Sequence, residues 1–147
     1  MPRSPAPPRA AFASAEAAEA AFYEALQAGD AQAVMRVWAD DEEPVCVHPG
    51  GSRLVGLAAI AESYGQLLAA GGMSIVAESA LRSVTPGCSV HSVVERLGLA
   101  PGAGAVCVLA TNVYLRTPQG WRLVLHHASP GTLEDADAWL AQSERLH

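Results

Sequence analysis

The chain has 147 residues, half of them hydrophobic and only 16% charged, with a formal net charge of −6. That length points to one domain able to bury its own core, and that composition to a globular chain rather than a disordered one. No Lys/Arg cluster is dense enough to follow a phosphate backbone and no apolar run approaches the roughly 18 residues of a membrane span, so neither nucleic acid nor membrane is expected as a partner.

Residues 1–13 are rich in Pro and Ala, with four prolines among the first eight, and read as a flexible tail rather than a signal peptide. Ser14 can cap a helix running to about Ala28, with Phe22 and Leu26 as i,i+4 neighbours on its apolar face. Gly29 is a natural stop, and Asp30 can cap a second helix carrying Val34 and Trp38 and ending in the acidic run Asp40–Glu43, which reads as a solvated corner. A short strand from Val45 to His48 turns at Pro49-Gly50-Gly51 and returns through Arg53-Leu54-Val55. A third helix spans about Leu57–Ala70, with Ile60, Tyr64, Leu67 and Leu68 as its buried stripe, and ends at Gly71-Gly72.

The second half is strand-like: about Met73–Val84, Cys88–Leu97, Ala105–Arg116 and Gly120–Ser129, punctuated by Pro86-Gly87, Pro101-Gly102 and Pro118-Gln119-Gly120. Connectors this short allow only an antiparallel meander. Several of these strands are apolar on both faces, so one face must cover the helices and the other is expected to meet a second copy of the chain. Thr132 and Asp135 form a capping-box pair for a last helix through about Leu146, which divides the chain into a tail (1–13), a domain (14–131) and a C-terminal helix (132–147). Cys46, Cys88 and Cys107, odd in number and without a Cys-x-x-Cys pair, read as small buried hydrophobes in a reducing, cytoplasmic setting.

Helix, helix, short hairpin, helix, then a long sheet is an order that resembles the nuclear transport factor 2-like superfamily. The residues that carry the resemblance are Trp38, Val45-Cys46-Val47-His48-Pro49, Gly50-Gly51 and Leu54-Val55-Gly56 in the first half, and Trp121-Arg122-Leu123-Val124 through His126-His127-Ala128-Ser129 in the last strand. The chain looks most similar to SnoaL-like bacterial proteins and to the association domain of calcium/calmodulin-dependent kinase. Leu125 stands where the pattern usually has its first His, and Ala128 where the kinase domain has Arg, so a kinase-type carboxylate pocket is not carried over. The resemblance implies an α+β fold: a cone-shaped, curved antiparallel sheet packed on three N-terminal helices, with a short C-terminal helix and a small-molecule site in the hollow between sheet and helices.

Strand parity sorts the candidate residues. An unbroken last strand puts Trp121, Leu123, Leu125, His127 and Ser129 on one face and Arg122, Val124, His126 and Ala128 on the other. The family pattern makes His127 the constrained histidine, either a proton shuttle in the pocket or a hydrogen-bonded, half-buried side chain. His48 can face the cavity mouth or cap its turn, Tyr64 can aim its hydroxyl inward or belong to the core, and Trp38 can pack or form a ligand platform. Asn112 and Tyr114 share a face of the third long strand, and Asn112 in an apolar run needs a partner from the pocket, water or a second subunit. His91 and Glu95 share a face of the second, where an exposed polar cluster is the plain reading.

The five Asp residues all fall at helix ends or loops, leaving only Glu78 and Glu95 mid-strand, which argues against a steroid-isomerase arrangement. His48, His91, His126 and His127 lack metal-ligand spacing, and no P-loop or GxGxxG run is present, so neither metal nor cofactor is expected. The expected protein is a homodimer, paired through the outer sheet face, that binds an unknown small molecule. The alternatives are an isomerase, dehydratase or cyclase using His127 or His48 as acid/base with Tyr64 as donor, and a non-catalytic association module.

Overall fold

A computed structural model describes residues 11–40, 43–98 and 105–146. Most of the expected tail, Asp41 and Glu42 of the acidic run, and the Pro101-Gly102 turn lie outside the described residues. The last tail residues that are described are tied to the domain. Trp121 donates its backbone N–H to the Phe12 carbonyl at 2.9 Å, and the Arg122 guanidinium lies 5.0 Å from the Phe12 ring centroid.

The helices start and stop where local chemistry dictates. The Ser14 hydroxyl accepts from the Ala17 N–H at 3.0 Å and opens α1 (Ala15–Ala28), which Gly29 closes at φ 71°. The Asp30 carboxylate accepts from Ala33 at 3.0 Å and opens α2 (Ala31–Val37). Strands β1 (Val45–Val47) and β2 (Arg53–Val55) form the short hairpin, and α3 (Leu57–Leu67) follows. Then come β3 (Ile75–Val84), β4 (Cys88–Gly98), β5 (Ala105–Thr117) and β6 (Gly120–Gly131). The last helix, α4 (Leu133–Leu146), opens on a reciprocal capping box in which Asp135 accepts from Thr132 N–H and Thr132 accepts from Asp135 N–H, each at 3.0 Å.

The strands make one curved, unclosed sheet in the order β2-β1-β6-β5-β4-β3. The four long strands are the expected antiparallel meander, but the sheet as a whole is mixed, because β1 pairs with β6 in parallel. The physical reason is the connection. Some seventy residues, including α3, separate β1 from β6, so the chain has room to return in the same direction. Ala39 begins this parallel seam, donating its N–H to the Leu123 carbonyl at 2.9 Å.

The core lies between the concave sheet face and the helices. Phe22, Val34, Val37, Trp38 and Ile60 are fully buried there against Val93, Ala110 and Leu123. A side chain such as Phe22 contributes about 2–3 kcal/mol by leaving water. Helix α4 lies on the opposite, convex face, where Ala136 packs on Val94 and Cys107.

A bulge reorders the last strand. Val113 pairs with Leu125 but Tyr114 pairs with Leu123, so Val124 is an extra residue in β6. Parity inverts there: Leu123, His126 and Ala128 are buried, whereas His127 and Ser129 are exposed. The single-face grouping of Leu123 with His127 is thereby corrected.

Candidate functional site

A cavity of about 310 Å³ opens between the sheet and the helices. Its apolar wall comes from Leu26 on α1, Leu67 on α3, Met73 and Ile75 at the entry to β3, and Leu97 and Val108 on the sheet. Its polar groups are His48, Tyr64, Glu95 and His126.

Each is placed by its element. β1 ends at Val47, and the Pro49-Gly50-Gly51 turn leaves His48 half-buried at the cavity. There its Nε2 lies 2.7 Å from the Ser63 hydroxyl, and burial lowers its pKa. Tyr64 is buried on α3 with its hydroxyl 3.7 Å from the Cys46 sulfur, and burial pushes the phenol well above its ordinary value. Burial also pushes the Cys46 thiol up to about 11, so it stays protonated.

Glu95 and His126 belong to one hydrogen-bonded chain. The Tyr23 hydroxyl donates to Glu95 Oε2 at 2.7 Å, and the Asn112 amide donates to the Tyr23 oxygen at 3.0 Å. Asn112 Oδ1 lies 2.6 Å from His126 Nδ1, which must then carry the proton. Burial raises Glu95 to about 7, with the Tyr23 hydrogen bond opposing and the nearby Glu19 charge adding to the rise. No basic side chain pairs with it among the described residues. Burial, followed by the charges of His48 and His127, lowers His126 to about 3, so this ring is neutral at physiological pH.

Behind the cavity lies a second buried cluster. Glu19 Oε2 lies 2.7 Å from His91 Nδ1 and accepts from the Tyr114 hydroxyl at 2.9 Å, while the Ser89 hydroxyl is 2.7 Å from His91 Nε2. Burial works to raise the Glu19 pKa, but the His91, Tyr114 and Asn112 contacts outweigh it and the net shift is downward.

The sequence-predicted residues therefore separate. His48 and Tyr64 line the cavity. Asn112 and Tyr114 are buried in the polar network behind it. Trp38 is fully buried in the core, its ring 6.4 Å from that of Tyr64, and is not among the lining residues. His127 is exposed on the convex face, and its neighbour His126 occupies the cavity side. His91 and Glu95 are buried rather than an exposed surface cluster, because α1 lies over them and supplies Glu19 and Tyr23 as partners.

Sequence reasoning left out Glu19 and Tyr23, read Glu95 as part of an exposed polar cluster and set His126 on the face away from His127. A signal existed for the first two: Glu19, Phe22, Tyr23 and Leu26 follow helical i, i+3, i+4, i+7 spacing, which puts a carboxylate on the buried stripe. Among the described residues no group of three or more His, Cys, Asp or Glu side chains is arranged to hold a metal. No described helix is long and apolar enough to cross a membrane.

The sequence pattern of the SnoaL-like domain matches residues 15–132. A Thiobacillus denitrificans structure, provisionally described as a calcium/calmodulin-dependent protein kinase type II association domain, is similar at 37% identity and TM-score 0.77, over 83% of this chain and 98% of that one. A Streptomyces avermitilis protein, provisionally described as a dehydratase of the NTF2-like family, is similar at 32% identity and TM-score 0.68, over 78% and 91% of the two chains. A ketosteroid isomerase-like protein from Erwinia carotovora atroseptica shares the fold at 19% identity and TM-score 0.68, over 80% of this chain and 93% of that one. No curated protein matches the chain. The chain belongs to the SnoaL-like family of the nuclear transport factor 2-like superfamily.

Proposed function

We propose that the cavity binds a small, mainly apolar molecule and that Glu95 exchanges a proton with it, in a reaction of the isomerase or dehydratase kind. The carrying observation is the setting of Glu95: a carboxyl on an apolar cavity wall, with one hydroxyl donor and no described cation beside it. Such a group holds and releases a proton near neutral pH, where a general acid or base works best. His48 and Tyr64, which line the same cavity, supply polar contacts to the same molecule. The dehydratase description of the Streptomyces avermitilis relative agrees with this reading.

The test is deuterium exchange at the carbon beside the carbonyl of a small β-hydroxyketone, hydroxyindanone, followed by NMR in heavy water. Wild-type protein should accelerate exchange with saturation, and Glu95→Gln should abolish the acceleration. Equal rates for the two proteins would overturn proton transfer by Glu95.

A specific surface feature favours a second element of the proposal, pairing of two copies. Val90, Val113 and Leu125 are register partners across β4, β5 and β6 and form a half-buried apolar row on the convex face. Helix α4 covers the Val94 and Leu109 level of that face and leaves this row open. An isologous contact between two such rows would cover them.

A further inference from the structure

We infer that the Tyr23 hydroxyl, acting through the Asn112 amide, holds His126 with its Nε2 lone pair toward the cavity, so that the molecule bound there carries a hydroxyl or N–H donor and no anionic group. This rests on the cavity being the binding site and identifies the class of molecule it takes.

The argument follows the direction of each hydrogen bond. The Tyr23 hydroxyl donates its proton to Glu95 Oε2 at 2.7 Å, so its oxygen is left to accept. The Asn112 amide nitrogen donates to that oxygen at 3.0 Å, which turns Oδ1 toward His126. Oδ1 only accepts, so the His126 proton sits on Nδ1 at 2.6 Å from it. The remaining polar atom of this cavity-lining ring is Nε2, with a lone pair and no partner among the described residues. Burial keeps the ring from taking a second proton, so Nε2 stays an acceptor across the physiological range.

A hydroxyl or N–H group on the bound molecule satisfies that lone pair. An ether or carbonyl oxygen meets it acceptor to acceptor and leaves both unsatisfied in an apolar enclosure, a mismatch that a polar site rejects strongly. A carboxylate or phosphate adds a charge beside Glu95 with no Lys or Arg lining the cavity. Tyr23 is not among the lining residues; it is a positioning residue whose effect is read at His126.

Two measurements on the wild-type protein test this. In nitrogen NMR of histidine-labelled protein, with His126 assigned through His126→Phe, the ring should show its proton on Nδ1; a proton on Nε2 overturns the inference. In calorimetric titration, indanol should bind at least about tenfold more tightly than methoxyindane, and indanecarboxylate should not saturate. Equal or tighter binding of the ether or the carboxylate overturns the inference. Binding of none of the three overturns it together with the cavity as a binding site. Indanol binding without Glu95-dependent exchange removes only the proton-transfer reading. Tyr23→Phe, which removes the oxygen that holds the Asn112 amide, should mix the two His126 tautomers and narrow the indanol preference. A folded Tyr23→Phe protein with an unchanged tautomer overturns the role given to Tyr23.

Discussion

Gly29 and Gly72 lie back to back: a Cβ built on Gly29 would sit 2.6 Å from the Gly72 nitrogen, and one on Gly72 would run into the Gln27 carbonyl. Each glycine ends a helical segment in the sequence, yet their shared role is to let the end of α1 meet the chain entering β3. The contact is sealed by the Met73 N–H donating to the Leu26 carbonyl at 2.9 Å and by the Gln27 amide donating to the Ile75 carbonyl at 2.7 Å. Leu26, Met73 and Ile75 all line the cavity, so this approach sets the shape of one wall. Gly72→Ala should cost about 3 kcal/mol in chemical denaturation, because the obstacle is backbone rather than a movable side chain. It should also weaken indanol binding. A variant as stable as wild type would contradict the close approach.

Glu95 makes stability depend on pH in a defined direction. Its folded pKa is raised from 4.5 to about 7, so between those values the native state binds more protons than the unfolded chain. Its contribution is therefore fully favourable below the lower value and is lost as pH rises through the upper one. Those two values correspond to about 3 kcal/mol. Glu95→Gln, with no proton to lose, should be more stable than wild type at about pH 8 and should lack this fall. Denaturant titrations of both proteins at mildly acidic and mildly basic pH decide the matter.

Glu19 has the opposite sign. Its folded pKa is depressed, so the stability it contributes is present above the ordinary carboxylate range and is lost as pH falls through the folded value. Tyr114→Phe removes one hydrogen bond to this carboxylate without changing the shape of the core. The loss should be about 1–3 kcal/mol near neutral pH and should shrink once acid protonates Glu19. A penalty of the same size at acidic and neutral pH would show that Tyr114 acts by packing alone.

Helix α4 shields a thiol. Cys107 is 2% exposed beneath Ala136 and Trp139, whereas Cys88 is partly open without α4. Ala136→Asp places a charge on that apolar seat and should lift the helix. Labelling of Cys107 by a thiol reagent should then quicken at least about tenfold, with Cys88 as the internal control. Unchanged Cys107 labelling would contradict the packing of α4 on the sheet.

The convex apolar row gives a test of assembly. Val113→Lys puts an ammonium at its centre, between Val90 and Leu125. Sedimentation should show wild type as a dimer and the variant as a folded monomer. A monomeric wild type would remove the pairing proposal and leave the cavity unaffected.

What the sequence by itself determined is the part of this protein that local chemistry writes. Ser14, Asp30 and Thr132 with Asp135 cap their own helices, Gly29 closes one, and Pro- and Gly-containing turns separate the long strands, all through contacts within a few residues. The His48 turn and the Tyr64 stripe brought two cavity residues into view by the same local logic. Tertiary structure decided the rest. Whether His126 or His127 faces inward depends on one inserted residue, Val124, and an insertion is invisible to a parity count until the partner strand is laid beside it. Whether Glu19 and Glu95 are surface charges or buried groups depends on His91, Tyr23, Asn112 and Tyr114, most of them more than seventy positions away. Burial of a carboxyl is affordable only when such partners converge on it, and their convergence is a property of the folded sheet and the helix across it.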